Sequence, residues 1–569
     1  MRRGTMLKTT GALLADILEE AGIDHIFGLP GGATPILLDA LADRKNTIKT
    51  VLARHEGGAA CMADMYGRLT GKPGVLVGQG LWIGTSGAYG IVESYLSGVP
   101  MLIITDLSDY AGLPQFAPYQ DASGDYGSVD LPNIMKSMTK YTTVATNAAQ
   151  FIHGVKLAIK HATTGRPGPA CVLLNFEVSA ATVDPDAANP RLYHISGHLS
   201  TSPACISPRD VENIADMLLD AKAPVMILGR GIHDGRAYAE VQELAELVGI
   251  PVATSYMGKS AIAETHDLAL GTMGAIGQKT ANEIISKADL VLAVGTCLSP
   301  ENTKMLSPDF IRPDKQKIIQ IDIEPRNTGW TYPIELGITS DAKLALRMII
   351  EALRSRSITI DVKQRIADLK KTKSQMQFFR EDALFSDETP IRPERVVRDV
   401  NEMIDADDLI VLDGGNNRMW FAHHFQSKRC GQIIAPGGAA GVGYAPPASI
   451  AAKILNPGRR VIGISGDGGM MMHLYSLEMA KQYELAITYV IMNNACLGNV
   501  MDYQAPERRI MTQYPQPDFT EIARGVGCKG IKVEKPDEIK PALKEAFENN
   551  AATVVDITVQ DCPHFILMS

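Results

Sequence analysis

Residues 460–494 read RVIGISGDGGMMMHLYSLEMAKQYELAITYVIMNN. The run VIGIS ends in Gly466-Asp467-Gly468, a helical pattern follows, and a second apolar run, AITYVIM, ends in Asn493-Asn494. The 24 residues between Gly468 and Asn493 are what one helix and one strand consume, so the stretch reads as strand, helix, strand. In a parallel sheet both loop motifs then emerge at the same carboxyl edge, where open α/β sheets bind ligands. Asp467 and Asn494 offer a carboxylate and an amide oxygen, hard donors suited to a magnesium ion that completes its octahedron with water and phosphate oxygens. The glycines beside Asp467 let backbone N–H groups, and a helix starting at Gly469, approach a phosphate closely. Taken alone, Gly-Asp-Gly is more often a tight turn, and Asn-Asn after a strand is usually a turn as well. The joint spacing, with both motifs at strand ends, favours the phosphate and metal reading.

The same alternation of apolar run, Gly-rich turn and helical pattern fills the rest of the chain. The runs are TVLARHE, GVLVGQG, PMLIITD and PACVLLNF in the first third, PVMILGRG, PVATS, LVLAVGT and KIIQIDIE in the middle, and LIVLDGG, RVIGISGDGG, ITYVIMNN and TVVDITV in the last. The fold class is α/β, with three doubly wound parallel-sheet domains expected at 5–182, 205–355 and 390–565. Polar, Pro-rich residues 180–208 and the charged stretch 354–395 read as linkers.

The chain's 569 residues suit several domains and exclude a small binding module. Lys and Arg number 55 against 64 Asp and Glu, so the net charge of −9 gives no global footprint for nucleic acid or an anionic membrane. Eight scattered cysteines without a CxxC suit reduced thiols and a cytoplasmic location. The uncharged stretch 431–452 holds too many glycines and prolines for a lone spanning helix, and reads as a loop and helix start. The N-terminus reads as an amphipathic helix because Asp16, Glu19 and Glu20 interrupt its apolar stretch.

The spacing GDG, two dozen residues, NN resembles the cofactor-anchoring motif of the thiamine-diphosphate enzymes. IFGLPGGATPILLDAL with LARHEGGAACMADMYGRLTGKPGV looks like the pyrimidine-binding domain of the acetolactate synthase group. PVATSYMGKSAIAETHDLALGTMG and IIQIDIEP resemble its central domain, and DGGNNRMW and PGGAAGVGYAPPA its diphosphate-binding domain. The resemblance spans nearly the whole chain. It implies thiamine diphosphate and Mg²⁺ as cofactors, the metal held by Asp467, Asn494 and the backbone carbonyl of Cys496. Gly415, Asn416, Asn417, Gly466, Gly468, Gly469 and Met470 would flank the diphosphate. Glu56 would hydrogen-bond the pyrimidine N1′, Ala440 would supply a backbone acceptor, and Val442 would wedge beneath the two rings. Considered alone, Glu56 is an exposed helix-start carboxylate and Val442 ordinary packing.

Gly31, Gly32 and Ala33 match the family's loop near the reacting centre, although a strand-to-helix turn also explains them. Gln120 matches a Gln near the substrate. Gly229-Arg230-Gly231 reads as a nucleotide-fold turn without the GxGxxG fingerprint, and FAD is not expected, because CLSPENTKM lacks the Arg of such sites. The pair His423 and His424 reads as structural or surface, with no third metal ligand nearby in sequence. Three departures from the synthase pattern bear on substrate and put an acetolactate product in question: Trp82 replaces small residues near the expected channel, Tyr503 replaces the Trp of the synthases' QWQ, and Gly57 stands where they carry a Gln after Arg-His-Glu. Leu497 is a further substrate-pocket candidate.

The implied activity is C–C bond cleavage and carboligation of a 2-oxo acid or related carbonyl substrate. Its alternatives are a 2-oxo acid decarboxylase or hydrolytic C–C lyase acting on a bulkier or cyclic ketone, and a non-catalytic regulatory homologue. A homodimer or dimer of dimers is expected, with Glu56 of one subunit facing the diphosphate site of another.

Overall fold

Each apolar run quoted above lies in a strand of one of three six-stranded, all-parallel sheets in the computed structural model, which describes residues 7–107, 120–125, 127–188, 191–200 and 202–563. Their central strands, such as Met101–Asp106, Leu290–Val294 and Ile487–Asn493, are buried along their whole length. Helices on both faces make the near-continuous Val, Ile and Leu runs necessary.

The N-terminal sheet has the order Lys49–Leu52, His25–Leu29, Gly74–Gly78, Met101–Asp106, Pro169–Leu174, Tyr141–Val144. The central sheet runs Ala269–Thr272, Val252–Thr254, Pro224–Leu228, Leu290–Val294, Lys317–Asp322, Leu336–Thr339. The C-terminal sheet runs Ile433–Ile434, Leu409–Leu412, Val461–Gly466, Ile487–Asn493, Thr553–Thr558, Lys529–Val533. In this last sheet the chain leaves Leu409–Leu412 for one side and returns to Val461–Gly466 on the other. The crevice at such a reversal lies between the loops after those two strands. The N-terminal sheet reverses in the same way between His25–Leu29 and Gly74–Gly78.

Two expectations change. The helix after Gly466 starts at Asp467, not Gly469, and the single expected helix is two, Asp467–Met472 and Tyr475–Gln482. They break because His473, at φ −131° and ψ 39°, leaves the helical region. The stretch 431–452 forms Ile433–Ile434, a Gly-rich loop and the start of the helix Ala445–Leu455. Among the described residues no helix is long and apolar enough to cross a membrane. The chain divides into two compact units, one holding the N-terminal sheet together with Gly437–Pro457, the other holding the central and C-terminal sheets.

Candidate active site

The C-terminal sheet gathers the residues of the opening motif as its spacing requires. Gly466 lies in register with Met492, so Asp467 and Asn494 follow neighbouring strand ends. Asp467 is buried, its Oδ1 accepting from Gly468 N–H at 2.8 Å and its Oδ2 from Ala495 N–H at 2.6 Å. Burial pushes its carboxyl above the usual range against these hydrogen bonds. A carboxylate so desolvated suits a cation as its partner. Cys496 is buried just beyond Asn494, where Leu497 N–H bonds Thr512 O at 2.8 Å.

The loop after Leu409–Leu412 supplies the other wall. Gly415 takes φ +87°, and the helix Asn416–His424 follows. Asn417 Nδ2 donates to Gly414 O at 2.8 Å and Asn416 Nδ2 to Asp502 Oδ2 at 3.0 Å. The buried Oδ1 atoms of both asparagines have no hydrogen-bond partner among the described residues. Orphaned amide ends at a sheet reversal, beside a desolvated carboxylate and Gly414, Gly415, Gly466, Gly468 and Gly469, fit a polar phosphate-bearing group with its cation. Gly469 tolerates no side chain, because a Cβ there would lie 2.4 Å from Asp413 Oδ2 and 2.7 Å from Ser465 Oγ. Asp413, fully buried at its strand end, ties these loops together by accepting from Gly414 N–H at 2.7 Å and from the Ser465 hydroxyl.

The N-terminal sheet presents a second group of candidates on its own carboxyl edge. Glu56 opens the helix Glu56–Thr70 behind the N-cap His55, whose Nδ1 accepts from Gly57 N–H at 3.1 Å. Its side chain is buried, contrary to the exposed helix-start reading. Gly32 takes φ +56°, and a Cβ there would meet Asp106 Oδ2 at 2.2 Å. Asp106 accepts from the Ala33 N–H at 3.3 Å and the Gly80 N–H at 2.8 Å, so it fixes the Gly31–Ala33 and Gly80–Gly84 segments side by side. Gln120 accepts a bond from Gln79 Nε2 at 3.2 Å, and Gln79 in turn touches the space above Gly31. The neighbouring residues 108–119 lie outside the described residues. Trp82 is 47% exposed on the Gly80–Gly84 helix, and Tyr503 is 79% exposed after the C-terminal loop.

Ala440 and Val442 have a setting that the sequence does not reveal. The carboxylate of Glu93 lies in a cradle of four successive N–H groups: Gly437 (3.0 Å) and Gly438 (3.2 Å) on Oε1, Ala439 (2.8 Å) and Ala440 (2.9 Å) on Oε2. Arg68 Nη2 and Ser97 Oγ add bonds at 2.7 and 2.5 Å. Arg68 also pairs with Asp64, which accepts from Tyr444 Oη at 2.5 Å. Burial alone would raise the Glu93 carboxyl, but Arg68 and the donors hold it down at about 2. Tyr89 Oη donates to Val442 O at 2.9 Å, and Gly441 leaves room for the Tyr89 ring, which a Cβ would meet at 2.5 Å. Glu93 was legible only as the lone charge in the helix AYGIVESYLS, and Asp106 and Asp413 as Asp residues closing apolar strands.

The other candidates resolve differently. Gly229 and Gly231 pack on the Gly295 turn, where Cβ atoms would lie 2.1 Å from Gly295 O and 2.7 Å from its Cα. His423 and His424 are buried, not on the surface, and a third ligand-bearing side chain, Glu381, stands against both. It comes from 42 residues upstream, so no local spacing announces it.

Three family models match the chain: the thiamine pyrophosphate enzyme N-terminal TPP binding domain over residues 8–125, the central domain over 211–349 and the C-terminal TPP binding domain over 413–557. A probable acetolactate synthase large subunit of Methanocaldococcus jannaschii is 32% identical over 95% of this chain and 90% of its own length. This chain belongs to the thiamine pyrophosphate enzymes. The acetolactate synthase large subunit of Lactococcus lactis is 29% identical over 98% of the chain and 94% of its own length. A putative thiamine pyrophosphate-containing protein of Bacillus subtilis, YdaP, is 28% identical over 98% and 92%. The chain is therefore a thiamine-diphosphate-dependent enzyme of the acetolactate synthase-like group.

Proposed function

We propose that the protein joins an acyl fragment, taken from a 2-oxo acid, to a second carbonyl compound, in the manner of its acetolactate synthase relatives. When bound, thiamine diphosphate supplies the carbon acid and the electron sink for breaking and making a C–C bond beside a carbonyl. Asp467, Asn494 and the Cys496 carbonyl would hold Mg²⁺, and Gly415–Asn417 with Gly466–Met470 would receive the diphosphate. Glu56, already desolvated, accepts from the pyrimidine N1′ and controls the proton there. Ala440 would offer its carbonyl to the aminopyrimidine, and Val442 would support the cofactor's rings. Gly31, Gly32, Ala33 and Gln120 border the reacting centre, while Trp82, Leu497 and Tyr503 select the carbonyl acceptor.

The observation that carries this reading is the buried Asp467 carboxylate at the C-terminal sheet's reversal, among loops that have no room or no partner for side chains of their own. We further propose a cytoplasmic homodimer or dimer of dimers, in which Glu56 of one subunit serves the diphosphate site of the other; the "large subunit" in its relatives' names supports subunit assembly. Incubating the Mg²⁺- and thiamine-diphosphate-loaded enzyme with pyruvate, alone and with a second 2-oxo acid, tests the outcome. A branched hydroxy-oxo acid and one CO₂ per product are expected. Free aldehyde as the sole organic product refutes carboligation.

A further inference from the structure

We propose that Glu381, His423 and His424 form a binding site for a divalent transition-metal ion of the zinc class, which fastens the linker to the end of the helix Asn416–His424. The site is separate from the Mg²⁺ position at Asp467. It does not depend on the substrate assigned above.

The two imidazoles occupy the last turn of that helix, and Glu381 precedes the short turn Asp382–Phe385. His423 Nε2 lies 3.2 Å from Glu381 Oε1, and His424 Nδ1 lies 3.6 Å from Glu381 Oε2. All three ligand atoms fall within 4.8 Å of one another. A tetrahedral ion with bonds of roughly 2.0–2.1 Å holds its ligand atoms about 3.3 Å apart. Each imidazole already stands at nearly that distance from one oxygen of the Glu381 carboxylate, His423 from Oε1 and His424 from Oε2, and an ion would draw the three ligand atoms in from within 4.8 Å of one another. Both histidine side chains are 5% exposed and Glu381 is 22% exposed, which leaves one side open for a water as the fourth ligand.

Three further features suit a cation. The carbonyl end of a helix carries partial negative charge, and the site sits on that end. Gln278, itself buried, donates from Nε2 to His423 O at 2.6 Å and to Glu381 Oε1 at 3.3 Å, the kind of outer hydrogen bonding that orients metal-ligating carboxylates. Two imidazoles with one carboxylate favour zinc, cobalt, nickel or iron over magnesium, which prefers an all-oxygen shell. The ion would tie two segments 42 residues apart. One of them is the helix whose opposite end carries Asn416 and Asn417.

The test uses the full-length chain, stripped with a chelator and titrated with Co²⁺, whose intense visible bands mark tetrahedral nitrogen and oxygen ligation. One equivalent per chain should bind with those bands, and Zn²⁺ should displace it. Asp467→Ala should leave the bands unchanged. Glu381→Gln and His424→Gln should abolish them, and Gln278→Ala should weaken binding by roughly 10–100-fold. A stripped parent that develops no such bands shows a hydrogen-bonded trio only and overturns the proposal, with no variant required. Bands that persist undiminished in both Glu381→Gln and His424→Gln, each shown folded by circular dichroism, overturn it equally.

Discussion

Glu93→Gln tests whether the cradle governs the Gly437–Ala440 segment. The substitution keeps the shape of the side chain, removes its charge, and turns an NH₂ group toward backbone donors that need an acceptor. In the folded chain the Glu93 carboxyl falls from 4.5 to about 2, and each pKa unit is worth about 1.4 kcal/mol. The charge therefore contributes about 3 kcal/mol at neutral pH, the lower end of the ~3–5 kcal/mol lost on breaking a buried ion pair. Set against a total of roughly 5–15 kcal/mol for a domain, this is a large fraction. At ~2–4 °C per kcal/mol for a unit of this size, the unfolding midpoint should drop by roughly 6–12 °C. The sign with pH is fixed, because the folded value lies below the unfolded one. The contribution is complete above pH 4.5 and is lost as the pH falls toward 2. Urea unfolding of parent and variant at neutral pH and at roughly pH 3.5 should show the gap narrowing on acidification. A gap below about 0.5 kcal/mol at neutral pH, the size of an ordinary surface change, refutes the cradle argument. So does a gap that is equally large in acid.

Asp467→Ala should abolish retention of thiamine diphosphate in calorimetric titration, and an affinity equal to the parent's would remove the anchor. Glu56→Gln should leave cofactor affinity nearly intact and slow hydrogen–deuterium exchange at cofactor C2 by about tenfold or more, since ~1.4 kcal/mol in a transition state is a factor of ten. Exchange as fast as in the parent would deny Glu56 its role. Mixing Glu56→Gln with Asp467→Ala chains should restore part of the activity if sites are shared between subunits, and proven exchange without recovery counts against sharing. Gly469→Ala should cost about 1–3 kcal/mol in chemical denaturation, because its methyl would press on Asp413 and Ser465; an unchanged midpoint would show that the loop yields freely.

The sequence by itself determined the three parallel sheets and the positions of Asp467, Asn494 and Gly415–Asn417 on one carboxyl edge. Buried parallel strands need unbroken apolar runs, and loops that approach a ligand need glycine, so both leave local marks. The edge strands Tyr141–Val144, Leu336–Thr339 and Lys529–Val533 leave weaker marks, because each has partly exposed residues and no full apolar run. Tertiary structure alone decided that Glu93 holds the loop of Ala440 and Val442, hundreds of residues away, and that Glu381 joins His423 and His424. A lone carboxylate carries no periodicity that names its partner. What makes each of these charges tolerable in a buried place is a set of donors or ligands brought from distant segments, and only the folded chain supplies it.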